Sequence, residues 1–316
     1  MTASPAGSAA PRLSADQFEA LFRRLREGVT FGAHDRRGAL NHLTPAHVAA
    51  AAGEIRAGIA VSLANDIRHR EAADNPKPAR HQMIGPITPG RTPGDLQFAQ
   101  DQFAMNVHGD AETHIDALCH VIYHGTLYNG VPASEVREDG AHQLSIDTAH
   151  DGIVGRGVLL DIAHARGEPW LELGDHVTAD DLLAAEKAQD VRAGEGDLVF
   201  IRVGHQARRR ERGDWTAAKA RVGLHPNAVE LLADRHIALL GGDGNSDSAP
   251  SLVEGVDFPV HVLAINALGL HLIDYLQLED LHDHCVRLGR WSFFCTVAPL
   301  RLPGATGSPV NPIAVL

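Results

Sequence analysis

The densest concentration of side chains able to hold a metal or move a proton is Asn106–Gly130, NVHGDAETHIDALCHVIYHGTLYNG, which contains His108, Asp110, Glu112, His114, Asp116, His120 and His124. If His114-Ile115-Asp116 is extended, its two-residue period places His114 and Asp116 on one face and turns Ile115 toward a core. A helix beginning at Ala117, capped by Asp116, would project Asp116, His120 and His124 along one side in steps of four. A strand running into a helix therefore gathers His114, Asp116 and His120 around one point. Imidazole nitrogens mixed with carboxylate oxygens suit Zn²⁺ or Mn²⁺, whereas an all-oxygen set would suit Ca²⁺ or Mg²⁺. With 20 histidines in the chain, a lone His-x-Asp carries little information. The longer pattern Asp110-x3-His114-x-Asp116-x3-His120 carries more, because it lies among Val107, Ile115, Leu118, Val121 and Ile122. Burying that many charges without a counter-ion is costly.

The elements that must position these residues can be read on either side. Ser14-Ala-Asp-Gln opens a helix whose Phe18, Leu21, Phe22 and Leu25 recur at helical spacing up to Gly28. Thr44-Pro45 has the form of an N-cap followed by proline at the first helical position, predicting a helix over Ala46–Arg56, with a short strand at Ile59–Leu63. Residues 66–97 are rich in proline and glycine with little periodicity, a length that suggests a lid or an oligomer arm. Beyond the motif the patterns predict strands at Gly155–Ile162, at 196–204, at Ile237–Gly241 and within Trp291–Leu300, and helices at Thr178–Gln189 and from His225. His261–Ile265 begins a further ordered segment, and Leu268–Leu276 is strongly apolar around His271 and Asp274. Strands and helices alternate without strict βαβ regularity, so the expected class is mixed α/β in one domain, residues 16–316, after a flexible leader over 1–15.

Composition narrows the function. At 316 residues and 44% hydrophobic content the chain can bury a sizeable core. A formal net charge of −12 argues against a nucleic-acid partner, and the basic run Arg208-Arg209-Arg210 with Arg212 is interrupted by Glu211 and suits a solvated loop or helix face. Cys119, Cys285 and Cys295 are too few and scattered for a disulfide framework or a Cys-type zinc site, which points to a reducing, cytoplasmic setting. No apolar run is long enough to span a membrane, and the N-terminal stretch lacks the pattern of a signal peptide. The glycine run at Gly241 lacks both nucleotide-binding patterns and reads as a turn that lets backbone pass near a site. Ser246 is not in a nucleophile elbow.

The motif resembles the His-x3-His-x-Asp-x3-His signature of the metal-dependent cyclase family, which includes bacterial kynurenine formamidases, isatin hydrolases and relatives acting on lactones. Gly38-Ala-Leu-Asn-His-Leu-Thr-Pro, Leu127-Tyr-Asn-Gly and Pro299-Leu-Arg-Leu-Pro-Gly-Ala-Thr-Gly-Ser-Pro-Val resemble further family segments in the same order. The resemblance implies a single domain with a mixed, partly rolled β-sheet and surrounding helices, forming homodimers or homotetramers. It makes His114 and Asp116 ligands of one divalent ion, Mn²⁺ or Zn²⁺, aligns His261 and Asp274 with the remaining ligands, and makes His120 the catalytic acid/base. Two positions depart from the family pattern. Asp110 stands where the motif has its first histidine, leaving open whether Asp110 or His108 completes the shell, and Asp274 replaces a glutamate.

The implied activity is hydrolysis of a small amide, imide or lactone by metal-activated water. His120 would accept the water's proton and return it to the leaving nitrogen or oxygen. A lyase or true cyclase on a small carbonyl compound, or a non-catalytic small-molecule binding protein on the same fold, are the alternatives. Glu112, His124, His225 and Asp243 are further candidates for orienting the ligands, with plain surface positions the competing reading. Trp215, Tyr123, Tyr128 and Phe103 could face an aromatic substrate, although packing is the more ordinary role for aromatics that make up 5% of the chain.

Overall fold

The computed structural model describes residues 10–84, 96 and 98–316. Its centre is a curled nine-stranded mixed sheet. The strands run in the order Ala60–Ser62, Ile313–Val315, Ser292–Val297, Ile153–Asp161, Leu198–Arg202, Leu239–Gly242, His271–Asp274, His114–Asp116, Gly307–Pro309. The four strands from Ile153–Asp161 to His271–Asp274 are mutually parallel, and antiparallel strands extend the sheet on both sides. Parallel strands need crossovers, here supplied by the helices Ala179–Gln189, Pro226–Asp234 and the segment Pro259–Leu268. Helices cover the sheet, so the central strands read as continuous apolar runs, with Val158 to Leu160 and Leu198 to Phe200 without exposure.

Local chemistry explains most of the elements. Ser14 and Gln17 form a capping box that starts the helix Ala15–Gly28, whose Phe18, Leu21, Phe22 and Leu25 are buried. Thr44 and His47 do the same for Pro45–Ala51, and Ala52–Glu54 then tightens into a 3₁₀ turn, so the regular helix is shorter than the alanine-rich run suggests. Thr178 and Asp181 cap Ala179–Gln189. The glycine at 241 is demanded by close approach, since a Cβ there would lie 2.8 Å from the Leu276 side chain.

The expected helix after Asp116 is absent. Ala117 N–H donates to Thr306 O at 2.9 Å and Cys119 N–H to Leu144 O at 3.0 Å, so the early donors are committed to distant acceptors and the chain makes a turn. The His120 N–H returns to Ala117 O at 2.9 Å, which folds His120 back beneath the strand end. His124 is carried off on a separate turn at φ 48°, where its ring meets Glu19 on the surface. The arginine run lies in the helix His205–Arg212, where Arg208 pairs with Glu172 and Arg209 with Asp74 and Asp214. In the 66–97 stretch, Arg80–Met83 pairs antiparallel with Asp101–Ala104. Residues 85–95 and 97, on which much of the lid or arm expectation falls, lie outside the described residues, as do 1–9 of the leader. Leu13 is tied down, its N–H donating to Leu252 O at 2.9 Å. No helix among the described residues is long and apolar enough to cross a membrane.

Candidate metal centre

Asp274 lies directly opposite His114 across an antiparallel strand pair, and Asp116 stands two residues further along the same strand as His114. The two-residue period thus does what the sequence implies: His114 Nε2 is 3.6 Å from Asp116 Oδ1, while Ile115 between them is fully buried on the other face. The helical segment starting at Pro259 brings in His261, whose Nε2 lies 3.4 Å from Asp116 Oδ2 and 3.6 Å from Asp274 Oδ2. Four of the sequence-predicted residues, His114, Asp116, His261 and Asp274, therefore meet at the carboxyl end of the parallel strands. Ligands held tetrahedrally at about 2.0–2.1 Å from Zn²⁺ lie about 3.3–3.4 Å from one another, so these separations already approximate a coordination shell.

The side chains of His114, His261 and Asp274 are held by further partners. His114 Nδ1 donates to Glu112 O at 2.9 Å, and His261 Nδ1 donates to Asp247 Oδ2 at 2.6 Å, so the partners assign both Nε2 lone pairs to the centre. Asp247 also accepts the N–H groups of Val260 and His261, anchoring the segment that carries the ring. Asp274 Oδ1 accepts from Ser246 N–H and Oγ, and Oδ2 from Asn245 Nδ2 at 2.7 Å. The glycine-rich turn after Gly241 thus delivers the residues that orient this carboxylate. Tyr275, next in sequence, sits at φ 58°, and its carbonyl is held by Thr113 Oγ1 and Asn65 Nδ2, each at 2.6 Å. Surrounding bonds over-determine a strained residue beside a site.

Asp116 is 1% exposed, yet its Oδ2 has no hydrogen-bond partner. Burial alone would raise its pKa. The His108 and His261 rings outweigh that and hold the carboxyl well below the usual carboxylate range. A buried anion with an unpaired oxygen facing two imidazole nitrogens is what a divalent cation would complete, and the mixed nitrogen and oxygen donors fit Zn²⁺ or Mn²⁺.

His108 and Asp110 part company. His108 Nδ1 donates to Asp116 Oδ1 at 2.8 Å, its Nε2 meets Thr306 Oγ1 at 2.9 Å, and its ring stacks on His120 with centroids 3.6 Å apart and planes 7° from parallel. Donor atoms of His108, Asp116 and His120 all fall within 4.8 Å of one another. Asp110 instead lines a polar cleft of about 510 Å³ with Asn65, Arg68, Arg209 and Tyr275, and its hydrogen bond comes from the Tyr275 hydroxyl at 3.4 Å. His120 is at the centre, half-buried, with burial pushing its pKa down to about 4, so at neutral pH the ring is uncharged and carries a free lone pair.

The remaining candidates separate. Glu112 is buried beside the centre with Oε1 unpartnered, and burial raises its pKa. Asp243 accepts the N–H groups of Val203, Gly204 and His205, and burial pushes its pKa up to about 7. His225 caps the helix Pro226–Asp234. Tyr123 packs edge-on against Phe22, Tyr128 donates to Asp35, Trp215 lies beneath the Arg208 guanidinium, and Phe103 is exposed on its strand. Cys119 is buried and its thiol is pushed up to about 12, which leaves it inert. The sequence reading missed Asp247, Asn245, Thr306 and Thr113, because each acts across a long separation with no local pattern to mark it.

Residues 59–246 match the Cyclase family model. Among solved structures, the crystal structure of a novel cyclase is 32% identical, covers 93% of this chain and 99% of its own, and superposes with a TM-score of 0.83. Isatin hydrolase A from Ralstonia solanacearum is 24% identical over 85% of this chain and 95% of its own, with a TM-score of 0.57. Isatin hydrolase A from Labrenzia aggregata, bound to benzyl benzoate, is 20% identical over 84% and 94%, with a TM-score of 0.56. These last two share the fold. No curated protein matches the chain.

Proposed function

The chain belongs to the cyclase family, and from that premise we propose that it is a metal-dependent hydrolase of a small cyclic amide, imide, N-acyl amide or lactone. The observation that carries this reading is the convergence of His114, His261, Asp116 and Asp274 on one point, with Asp116 Oδ2 buried and unpaired. These residues would hold Mn²⁺ or Zn²⁺. The ion supplies Lewis acidity, which acidifies water and polarises the carbonyl under attack.

The chain's own part is positioning and proton transfer. His120 is neutral, close to Asp116 and not committed to a hydrogen bond with another described residue, so it can accept a proton from the attacking water. Stacking on His108 fixes the plane of its ring. The water oxygen bonds to the acyl carbon, the C–N or C–O bond breaks, and His120 returns the proton to the departing atom. Two structures of this fold are isatin hydrolases; isatin is a cyclic amide, so amides and imides head the substrates to try.

The test joins metal analysis to turnover. Purified protein should contain or take up one Mn²⁺ or Zn²⁺ at this centre, lose it on His114→Ala with Asp116→Ala, and hydrolyse a member of an amide, imide and lactone panel with one solvent ¹⁸O in the product. A wild-type protein that takes up neither ion at this centre would overturn the proposal. Product free of solvent oxygen would transfer it to a lyase or cyclase.

A further inference from the structure

The parallel strands have a second histidine–carboxylate cluster at their opposite end. Glu195 precedes the strand Leu198–Arg202 and His236 precedes Leu239–Gly242, while His42 closes the short 3₁₀ helix Gly38–His42. We propose that His42, Glu195 and His236 form a second, independent divalent-metal site that binds Zn²⁺, separate from the centre around Asp116.

Geometry supports this at three levels. One donor atom from each residue lies within 4.8 Å of the others, and His42 Nδ1 is 3.8 Å from Glu195 Oε1. The His42 and His236 rings are near parallel, 10° apart with centroids at 4.8 Å, so their nitrogens are close and one ring turns about its side-chain torsion to bring both in-plane lone pairs onto a single ion. No ring nitrogen of either histidine has a hydrogen-bond partner among the described residues, which leaves their lone pairs available.

The backbones carrying Glu195 and His236 are also tied to each other, and the His42 segment packs closely against them. Gly196 N–H donates to His236 O at 3.0 Å, and His47 Nδ1 meets His42 O at 2.8 Å. Gly196 sits at φ 77°, and a Cβ there would lie 2.6 Å from His47 Nδ1 and 3.0 Å from His42 O, so glycine allows the Glu195 turn to close on the His42 segment. His236 adopts φ 54° with its N–H on Ala233 O. The backbone positions are preset in this way, and the side chains would be ordered by the ion itself. Two imidazoles and a glutamate are a three-ligand zinc set that leaves a fourth position open. All three residues line a cleft of about 580 Å³, walled by Phe31, Leu25 and Leu270, onto which that position would face.

The test is a Zn²⁺ titration of the full chain against a chromophoric chelator, with wild type, His236→Ala, Glu195→Gln and His114→Ala/Asp116→Ala. Wild type should bind two zinc ions if both centres exist, His236→Ala should lose one, and Glu195→Gln should weaken one by more than about 100-fold, since even loss of a partner outside the shell costs about 10–100-fold. The His114→Ala/Asp116→Ala protein should keep one. If the Asp116 centre fails, wild type binds a single zinc that His236→Ala removes, so the two proposals stand or fall apart. Wild-type stoichiometry and affinity in both His236→Ala and Glu195→Gln would overturn this one. If circular dichroism shows His236→Ala misfolded, the exposed Glu195→Gln decides alone.

Discussion

The two histidine–carboxylate clusters sit at opposite ends of the same parallel strands and differ in what stands behind the ligands. Around Asp116, three of the converging side chains have a partner on the far atom: Glu112 O behind His114, Asp247 behind His261, and Ser246 behind Asp274. Around Glu195, hydrogen bonds tie the backbones together and leave the rings alone. The first cluster is buried and cannot hide its charge in water, so an unpaired oxygen there calls for a cation. The second is half-exposed and tolerates being empty. The two clusters therefore offer similar donor types and differ in the partners behind them.

The largest expected effect is at the carboxylate that both His114 and His261 face. Asp116→Ala removes the anion and should take the metal content at this centre to near zero and turnover to background, measured by plasma mass spectrometry and product formation. Zinc bound at the Glu195 cluster should be unaffected. Next is His120→Ala, which should reduce kcat by about 10²–10⁴-fold, the usual worth of a positioned acid/base, while leaving metal content nearly intact. Metal lost together with activity would make His120 a ligand and would merge its role with that of His114.

Asp247→Asn tests the contrast between backed and unbacked ligands. Asparagine can keep its oxygen on the Val260 N–H, but its amide nitrogen then replaces Oδ2, which accepts from both the His261 N–H and Nδ1. An amide N–H set against Nδ1 favours the tautomer whose Nε2 is protonated and leaves the His261 N–H without its acceptor. Affinity for Mn²⁺ or Zn²⁺ at this centre should fall about 10–100-fold with the fold retained, read by competition titration and circular dichroism. An unchanged affinity would remove the difference between the two clusters.

The sequence exposed part of this arrangement and concealed the rest for identifiable reasons. His114 and Asp116 could be placed on one face because strand period is a local property. The helix expected at Ala117 failed because Thr306 and Leu144, far away in the chain, take the donors of Ala117 and Cys119. Nothing local signals such a competitor. His261 and Asp274 entered through family resemblance, and the strand pairing of Asp274 with His114 is the contact that brings the second of them in. Asp247 has no periodic relation to the histidine it orients. Strands and capped helices are legible from apolar runs and Ser/Thr caps, whereas the pairing direction of the strands, the 117–124 turn and the polar partners of the centre are products of tertiary contact.

The smallest expected effect concerns the position left open between His108 and Asp110. Asp110 accepts one long bond from the Tyr275 hydroxyl and faces the polar cleft, so Asp110→Ala should leave metal content unchanged and shift stability by no more than about 0.5 kcal/mol. Any kinetic change should be small, since neither His114, Asp116, His120, His261 nor Asp274 lines that cleft. His108→Ala removes the donor to Asp116 Oδ1 and the ring beneath His120, and should lower both metal affinity and kcat. Loss of metal in Asp110→Ala with its retention in His108→Ala would reverse the assignment: the carboxylate would then have to turn from Tyr275 into the centre when the ion binds, and the shell would hold three carboxylates in place of two.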